Sequence, residues 1–311
     1  MTTALFSHPD FRAHVTPPGH PEQVARIEAV DTALGAPAFD TLLRREPPIC
    51  SEADLLRAHP QDYIDRIRDA VPDSGWVALD ADTHLSPGSL TCAMRAVGGN
   101  VAAVDVVMAG DATNAFVACR PPGHHAEKST AMGFCLFGSV SIAAKHAMDH
   151  HGLTRVAIVD FDVHHGNGTQ DILWDEARVL YVSSHQMPLY PGTGAAHETG
   201  AHDNVMNIPL APMTGGAEMR RAYSDEVLPA LDDFAPELVL ISAGFDAHAA
   251  DPLANLNWST QDFAWLTHAI CDIADAHAGG RVVSTLEGGY DLSALAASVA
   301  AHVGVLMERG G

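Results

Sequence analysis

The stretch Val156–Gln170, VAIVDFDVHHGNGTQ, constrains this chain more than any other. Its first half is an apolar run that predicts a buried strand, and its second half holds two aspartates, two histidines and two glycines. Side chains alternate faces along a strand, so Asp160, Asp162 and His164 point to the same side. A carboxylate and an imidazole two residues apart, at the end of a buried strand, supply half of a divalent metal site. The alternative is a strand end with solvated polar residues, which is unfavourable directly after so apolar a run.

The charge balance limits the kinds of partner. The 311 residues include 17 Lys+Arg against 39 Asp+Glu, a net charge of −22. So few cations to neutralise phosphates argue against nucleic acid as a partner. The acidity suits a cationic substrate, although it also serves solubility. No uninterrupted apolar run approaches membrane-spanning length, and the start MTTALFSHPDFR lacks the pattern of a signal peptide. We therefore expect neither nucleic acid nor a membrane as a partner.

The cysteines indicate a reducing compartment. They are odd in number, widely spaced and without a CxxC pair. This usage predicts reduced, mostly buried thiols in a cytoplasmic protein. The sequence leaves the oligomeric state open, with a monomer, a homodimer or a higher assembly all compatible with it.

From about residue 114 onward, strands and helices alternate. Predicted strands lie at 114–119, 155–161, 179–183, 204–209, 238–242 and 281–286, with helical segments between them. Helices are also predicted over about 22–34, over 51–70 with an interruption at His59-Pro60, and over 89–108. The alternation predicts an α/β fold with a mainly parallel central sheet and helices on both faces. No repeat or linker divides the chain, so we expect a single domain over residues 1–311.

Five of the predicted strands are followed by loops rich in Gly, Pro, His, Asp or Tyr. In a parallel sheet these loops all emerge at the carboxyl edge, so their side chains converge on one crevice. Oxygen and nitrogen ligands with no cysteine nearby suggest Zn²⁺, with Mn²⁺ and Fe²⁺ as alternatives. Two adjacent histidines can serve as general base and acid, and a tyrosine can donate to a developing oxyanion. The residues brought to the crevice are Asp160, Asp162, His164, Asp246, His124, His125 and Tyr290.

The motifs in these loops resemble those of a known family. RPPGHHA, DFDVHHGNG, AGFDAH…DPL and EGGYD occur in this order. Together they are similar to the zinc-dependent histone deacetylase and acetylpolyamine amidohydrolase family, and RPPGHHA is similar to the form in its class II branch. The resemblance extends from about His20 to Tyr290. It implies an arginase/deacetylase-like fold and an amidohydrolase that removes acyl groups, usually acetyl, from the ε-amine of lysine.

The resemblance also implies which residues bind metal. Asp162, His164 and Asp246 match the zinc ligands of the family. A zinc ion there would polarise the amide carbonyl and lower the pKa of water. The family also has a structural K⁺ site, and the matching positions here are Asp160, Asp162, His164, Ser183 and Ser184.

Catalytic roles follow from the same resemblance. His124 and His125 match the catalytic pair, with His125 as the residue that passes a proton to the leaving amine, and Tyr290 matches the residue that hydrogen-bonds the acyl oxygen. Asp160 matches the orienting partner of His124. Asn167 stands where many relatives have an aspartate beside the second histidine. A neutral acceptor stabilises an imidazolium less than a carboxylate does, so the pKa of His125 is predicted to be lower than in an Asp-paired histidine.

Four further positions match a narrow tunnel for an extended alkyl amide. Phe134, with Gly133 beside it, and Tyr190 match the aromatic walls; ordinary core packing of the two aromatics is the alternative. Leu253 matches a position that is aliphatic in lysine deacetylases and a glutamate in a polyamine-specialised relative. Aliphatic Leu253 therefore favours a neutral acyl-lysine stem.

Other functions compete with this interpretation. An acetylpolyamine amidohydrolase shares all the catalytic motifs. An arginase-like binuclear hydrolase is expected to have a DxHxD arrangement, but Gly166 occupies the last position of that pattern here. A non-catalytic acyl-lysine binding module needs neither the histidine pair nor Tyr290. Asp80 or Asp82 is a candidate rim residue for binding a substrate backbone amide, with a solvated turn as the alternative.

Overall fold

The computed structural model describes residues 2–311 and is built around one eight-stranded sheet. All the strand pairs in this sheet are parallel. The described residues form ten strands in all, of which eight belong to this sheet. They are β1 (Thr3–Phe6), β2 (Leu43–Arg45), β3 (Val77–Ala78), β4 (His84–Leu85), β5 (Asn114–Val117), β6 (Val156–Asp160), β7 (Val179–Gln186), β8 (Val205–Leu210), β9 (Leu238–Ala243) and β10 (Val282–Leu286). The sheet order is β2-β1-β5-β10-β9-β6-β7-β8, and β3 and β4 form a separate hairpin.

Ten α-helices surround the sheet or cap its ends. They are α1 (Val24–Leu34), α2 (Glu52–Leu55), α3 (Gln61–Asp69), α4 (Ser89–Met108), α5 (Ser139–His151), α6 (Asn167–Leu173), α7 (Gly216–Ala222), α8 (Leu228–Phe234), α9 (Thr260–His277) and α10 (Leu292–Arg309). A π-helical turn at Tyr223–Val227 joins α7 to α8.

Helices lie on both faces of the sheet. On β5, Phe116 contacts the His302 ring of α10, with centroids 5.7 Å apart, while Val117 lies against Gly99 of α4. Adjacent strand residues point to opposite faces, so α10 and α4 cover opposite sides. α1 and α9 pack on α10, and α5 packs on α4. Buried on both faces, the central strands are continuous apolar runs rather than alternating ones.

The register of the central strands aligns their carboxyl ends. Asp160, the last residue of β6, lies opposite Ser183 of β7 and Ser242 of β9. Leu286, the last residue of β10, lies opposite Ala243 of β9. The loops that follow these strands therefore leave the sheet at one level and meet at one edge.

The predicted fold class is confirmed, and the differences are local. β1 and β2 were not predicted: β1 has only four residues, and β2, LRR, exposes both arginines and resembles a loop. The strand predicted at 179–183 continues to Gln186. The helix predicted over 51–70 is interrupted at His59-Pro60 as expected, since proline disfavours helical backbone in the residue before it, but its first part already ends at Leu55.

Two core helices have the length and composition of membrane spans. These are α4 and α10, and 56% and 44% of their most apolar windows are buried inside the domain. Both pack against β5, as described above. A single apolar cluster extends from Ala4 to Leu306 and includes residues of both helices. The apolar side chains of these two helices therefore pack into the core of the domain.

Candidate active site

Three buried ligand groups converge at the carboxyl edge of β6 and β9. Nδ1 of His164 lies 3.1 Å from Oδ1 of Asp162 and 3.1 Å from Oδ2 of Asp246. One ligand atom of each residue lies within 4.8 Å of the others. Asp162 and His164 follow β6, and Asp246 follows β9, as the motif order predicts. Two carboxylates and one imidazole are a suitable donor set for Zn²⁺ at a site that leaves a coordination position open.

Backbone amides and glycines hold the carboxylates in place. The amide of Gly288 donates to Oδ2 of Asp162 at 2.8 Å, and the amide of Val163 donates to Oδ1 of Asp246 at 2.8 Å. A Cβ at Gly244 would lie 2.0 Å from Oδ2 of Asp162, and one at Gly288 would lie 2.2 Å from Oδ2 of Asp246. Only glycine fits at either position, so the two loops form a cradle around the carboxylates.

The electrostatics of the three groups favour a bound cation. Burial and the nearby charge of Asp162 raise the pKa of Asp246 to about 7. Burial opposes charge on His164, but hydrogen bonds to both carboxylates outweigh it and raise the pKa of His164 to about 10. Buried carboxylates that repel one another need a positive partner. A divalent metal ion between them meets that need, and these residues therefore fit the zinc ion implied by their motifs.

The adjacent histidines have different partners. Nδ1 of His124 is 3.0 Å from Oδ2 of Asp160, and Nδ1 of His125 is 2.7 Å from Oδ1 of Asn167. Burial disfavours charge on His124, yet Asp162 and Asp160 hold its pKa well above the usual value. The pKa of His125 is held well below the usual value by burial and by the two neighbouring imidazoles of His124 and His164. These causes are separate from the effect of Asn167 predicted from the sequence, which remains a prediction.

A cavity of about 240 Å³ leads from the surface to these groups. Phe134 and Tyr190 stand on its sides, and neither is a core aromatic: Tyr190 is 38% exposed. The Tyr190 ring meets His125 edge-on with centroids 5.3 Å apart, and Phe134 meets Tyr290 in the same way at 5.8 Å. The cavity is lined by Asp82, His125, Gly133, Phe134, His164, Leu189, Tyr190, Leu253 and Tyr290.

Gly133 lets the cavity wall approach the catalytic histidine. Its φ is +55°, in the left-handed region, and a Cβ there would lie 2.4 Å from Cδ2 of His125. Leu189 was not singled out from the sequence, because an aliphatic residue between Pro188 and Tyr190 carries no signal that separates a cavity wall from a core contact.

A buried glutamate connects the histidine loop to the tyrosine loop. Glu287, the first residue of EGGYD, accepts from the amides of Gly123 and His124 at 2.6 and 3.2 Å. Burial raises the pKa of Glu287 to about 7. The sequence analysis did not identify this residue. The sequence feature that could have identified it is its position directly after the buried strand β10, where an unpaired carboxylate would be unfavourable.

Two more side chains hold Tyr290 itself. The carboxylate of Asp251 accepts from the Tyr290 amide at 2.7 Å. The Arg26 guanidinium lies over the Tyr290 ring, 4.9 Å from its centroid, and donates to the carbonyls of Gly289 and Glu287 at 2.6 and 2.5 Å. Burial raises the pKa of Tyr290 well above its usual value, so its hydroxyl stays protonated at neutral pH.

Side-chain oxygens at the carboxyl end of β6 and on the neighbouring strand β7 are suited to a hard cation. Asp160 is fully buried and also accepts from the Tyr181 hydroxyl at 3.1 Å. Ser183 and Ser184 are buried beside it, and Oγ of Ser184 lies 2.8 Å from the Tyr223 hydroxyl. Carboxylate, hydroxyl and carbonyl oxygens are the ligands that such ions prefer.

A second histidine–carboxylate group lies away from the cavity, between α4 and α5. Nε2 of His146 and Nε2 of His151 are each 2.7 Å from Oδ1 of Asp105. The spacing would allow a metal ion. However, Nδ1 of His146 is buried and has no hydrogen-bond partner among residues 2–311, whereas a ligating histidine normally donates its other N–H. We therefore interpret this group as a hydrogen-bonded contact between helices.

Comparisons with known proteins agree with the geometry. A model of the histone deacetylase domain matches residues 20–306. The chain is 41% identical to a histone deacetylase-like amidohydrolase of Pseudomonas aeruginosa, over 89% of this chain and 74% of that protein. It is 35% identical to a probable deacetylase of Archaeoglobus fulgidus, over 94% and 82%. The crystal structure of the HDA15 HD domain superposes with a TM-score of 0.94 at 32% identity and covers 99% of this chain and 89% of that one.

The chain belongs to the histone deacetylase family. Its fold is the arginase/deacetylase fold of that family, and it is a deacetylase-type hydrolase acting on linear amide bonds. The family is zinc-dependent, and Asp162, His164 and Asp246 form a matching group of potential ligands.

Proposed function

We propose that this protein is a zinc-dependent lysine deacetylase that removes acetyl groups from the ε-amine of lysine in peptides or proteins. One observation carries the proposal: a narrow, mostly apolar cavity ends at the Asp162–His164–Asp246 centre. Its walls suit a neutral alkyl stem, and its base presents an imidazole and a phenol to the amide. A cavity of this kind admits an extended side chain and excludes a folded chain.

The metal ligands we assign are Asp162, His164 and Asp246. A zinc ion held by them supplies a Lewis acid for the acyl carbonyl and for the attacking water. The ligands themselves are fixed before substrate arrives, because the glycine cradle and the backbone amides of Gly288 and Val163 hold the carboxylates. Such preorganisation avoids rearrangement during the reaction.

The two histidines have separate roles in this proposal. His125 is neutral, so it accepts the proton from the attacking water and passes it to the leaving amine. His124 keeps its proton because the carboxylates of Asp162 and Asp160 lie beside it, and its positive charge stabilises the negative charge that develops nearby. Tyr290 donates its hydroxyl to the acyl oxygen. Arg26 and Asp251 hold Tyr290 in position for this contact.

The choice of lysine over polyamine rests on the cavity lining. Leu253 lies in the wall where a carboxylate would be needed to bind a second cationic amine. Asp82 is the single carboxylate in the lining and is suited to a substrate backbone amide. The net charge of −22 favours approach of a cationic polyamine, so acetylpolyamine remains the second candidate.

A structural K⁺ ion is part of the proposal. It would be held by Asp160, by backbone oxygens of Asp162 and His164, and by Ser183 and Ser184. The buried oxygen-rich environment described above supports it. The five free cysteines are all buried, in keeping with a cytoplasmic enzyme.

The geometry does not favour the binuclear alternative. A Cβ at Gly166 would lie 2.3 Å from Oδ2 of Asp160 and 2.3 Å from the Tyr181 hydroxyl. The further carboxylate of a DxHxD arrangement therefore has no room. A non-catalytic module is also disfavoured, because binding alone would need neither the histidine pair with its polar partners nor Tyr290.

The test compares kcat/KM for an acetyl-lysine peptide and for N-acetylputrescine, with and without a chelator. We expect the peptide to be preferred, and activity to be lost with the chelator and restored by Zn²⁺. Tyr290→Phe should lower kcat roughly 100-fold, since it removes one oxyanion donor. A preference for N-acetylputrescine would identify the protein as an acetylpolyamine amidohydrolase instead. Two catalytic metals, or full activity of Tyr290→Phe, would contradict the mechanism.

A further inference from the structure

The side-chain amide of Asn167 is held at both ends. Its Oδ1 is 2.7 Å from Nδ1 of His125, and its Nδ2 donates to Oε1 of Glu127 at 2.9 Å. Nδ2 also lies 3.3 Å from Sδ of Met132. An ionised carboxylate accepts hydrogen bonds and cannot donate them. Glu127 is therefore compatible with the amide nitrogen of Asn167 and incompatible with its oxygen, which leaves Oδ1 to face His125.

The orientation of this amide decides which tautomer His125 adopts. With Oδ1 facing the ring, Nδ1 of His125 must carry the proton, and Nε2 keeps its lone pair. If the amide of Asn167 rotated by half a turn, Nδ2 would donate to Nδ1, and the proton of neutral His125 would move to Nε2. In that form Nε2 cannot accept a proton from water.

We infer that Glu127 is a positioning residue that sets the tautomer of His125 through Asn167. The inference rests on the proposed role of His125 as the residue that accepts and delivers the proton. Glu127 does not line the cavity; it contacts Asn167, and Asn167 in turn contacts His125. We therefore expect its effect on the reaction to pass through the amide.

The need for Glu127 arises from the residue at position 167. The two oxygens of an aspartate are equivalent, so an aspartate at this position would need no partner to orient it. An amide has one acceptor end and one donor end, and a neighbouring acceptor makes one orientation favourable. In an Asn167→Asp background, Glu127 would face a second carboxylate and become unfavourable. The effect of removing Glu127 should therefore depend on the identity of residue 167.

The loop that carries Glu127 is fixed independently of this contact. The Glu127 amide donates to the carbonyl of Thr130 at 3.0 Å. The amide of Lys128 donates to Oδ2 of Asp171 at 2.8 Å. Asp171→Ala is thus a matched control, since it removes a carboxylate contact to the same loop and leaves the Glu127–Asn167 bond intact.

The experiment measures kcat and KM of the zinc-loaded enzyme on an acetyl-lysine peptide. Glu127→Ala should lower kcat about tenfold, as expected for loss of a hydrogen bond to a charged group, with KM changed less than about twofold. Glu127→Gln should recover most of the activity, because its Oε1 can accept from Asn167. Asp171→Ala should retain the wild-type kcat. In the Asn167→Asp background, Glu127→Ala should leave kcat unchanged or raise it.

A second readout is independent of activity. ¹⁵N NMR of the imidazoles distinguishes protonation at Nδ1 from protonation at Nε2, with His125→Ala used to assign the signals. Glu127→Ala should convert the Nδ1–H form of His125 into a mixture of tautomers. If the wild type hydrolysed neither acetyl-lysine nor acetylpolyamine, the proposed function would fail and the NMR would still test the inference. An unchanged tautomer in Glu127→Ala, or an equal loss of kcat in both backgrounds, overturns it.

Discussion

His124 and His125 are neighbours in the sequence, both are buried, and their rings are 4.0 Å apart, yet their pKa values shift in opposite directions. Burial alone would lower both. The difference comes from the neighbouring groups. The carboxylates of Asp162 and Asp160 both lie beside His124. His125 instead has the imidazoles of His124 and His164 as neighbours and the neutral amide of Asn167 as its hydrogen-bond partner. Nearby carboxylates therefore raise one pKa, and nearby imidazoles lower the other.

In the proposed mechanism, this contrast gives two identical side chains of one loop separate functions. A charged imidazole can stabilise negative charge but cannot accept a proton, and a neutral one can do the reverse. The positive charge of His124 also helps to keep His125 neutral, because it lowers the pKa of its neighbour. The two roles are thus coupled, and a change at either partner should affect both.

Removal of each imidazole is the strongest way to break the comparison. We expect His125→Ala to lower kcat about 1,000-fold, since it removes proton transfer in both directions. His124→Ala should lower it about 100-fold, since it removes one charge near the oxyanion. Steady-state kinetics on an acetyl-lysine peptide, with zinc content measured for each variant, provide the test. Equal losses would mean that the two residues do not have separate roles.

The Asp160→Asn substitution gives both histidines an amide as hydrogen-bond partner. His124 then loses the carboxylate that holds its proton, and kcat should fall roughly 30-fold, the value of one hydrogen bond to a charged group. Asp160 is also a proposed K⁺ ligand, so the measurement should be repeated over a range of KCl concentrations. A kcat that stays within twofold of the wild type would show that the charge on His124 does not depend on Asp160.

The Asn167→Asp substitution instead gives both histidines a carboxylate as hydrogen-bond partner. A carboxylate favours the protonated form of His125 and raises its pKa. Because the neutral form is the active one, the acidic limb of the pH–kcat/KM profile should move to higher pH, by about one unit. The plateau rate should change little. An acidic limb at the wild-type position would contradict the proposed role of His125.

Asp105→Ala tests whether removing a histidine–carboxylate contact outside the cavity also lowers kcat. Asp105 accepts from two histidines but lies outside the cavity, so kcat should stay within twofold of the wild type. Loss of these half-exposed histidine–carboxylate contacts should lower the free energy of unfolding by about 1 kcal/mol or less. Urea denaturation and kinetics measure the two effects. A large loss of activity would show that this group communicates with the active site.

The parts of the structure that were predicted from the sequence are those set by local pattern. The apolar run of β6 and the order of the loops are periodic or sequential signals. They lead to a parallel sheet and to a site at its carboxyl edge. The strand alternation expected for Asp162 and His164 does not apply, because β6 ends at Asp160. The family whose model matches residues 20–306 agrees with the resemblance carried by these motifs.

The parts that were missed depend on where side chains from distant segments meet. Glu287 reaches the amides of Gly123 and His124, more than 160 residues away in the sequence. Glu127 follows the histidine pair closely, but its contact with Asn167 forms only when the loop after β5 meets the start of α6. No periodicity encodes such contacts. A buried or half-buried carboxylate beside a motif is the signal that would have identified both.

The cradle formed by Gly244 and Gly288 affects how related sequences should be classified. Neither residue offers a ligand or touches substrate, yet a side chain at either position would displace a metal-binding carboxylate. A homologue could keep all three ligands, both histidines and the tyrosine, and still be a pseudoenzyme because alanine replaces one of these glycines. Surveys that count catalytic residues alone would therefore overestimate the number of active members.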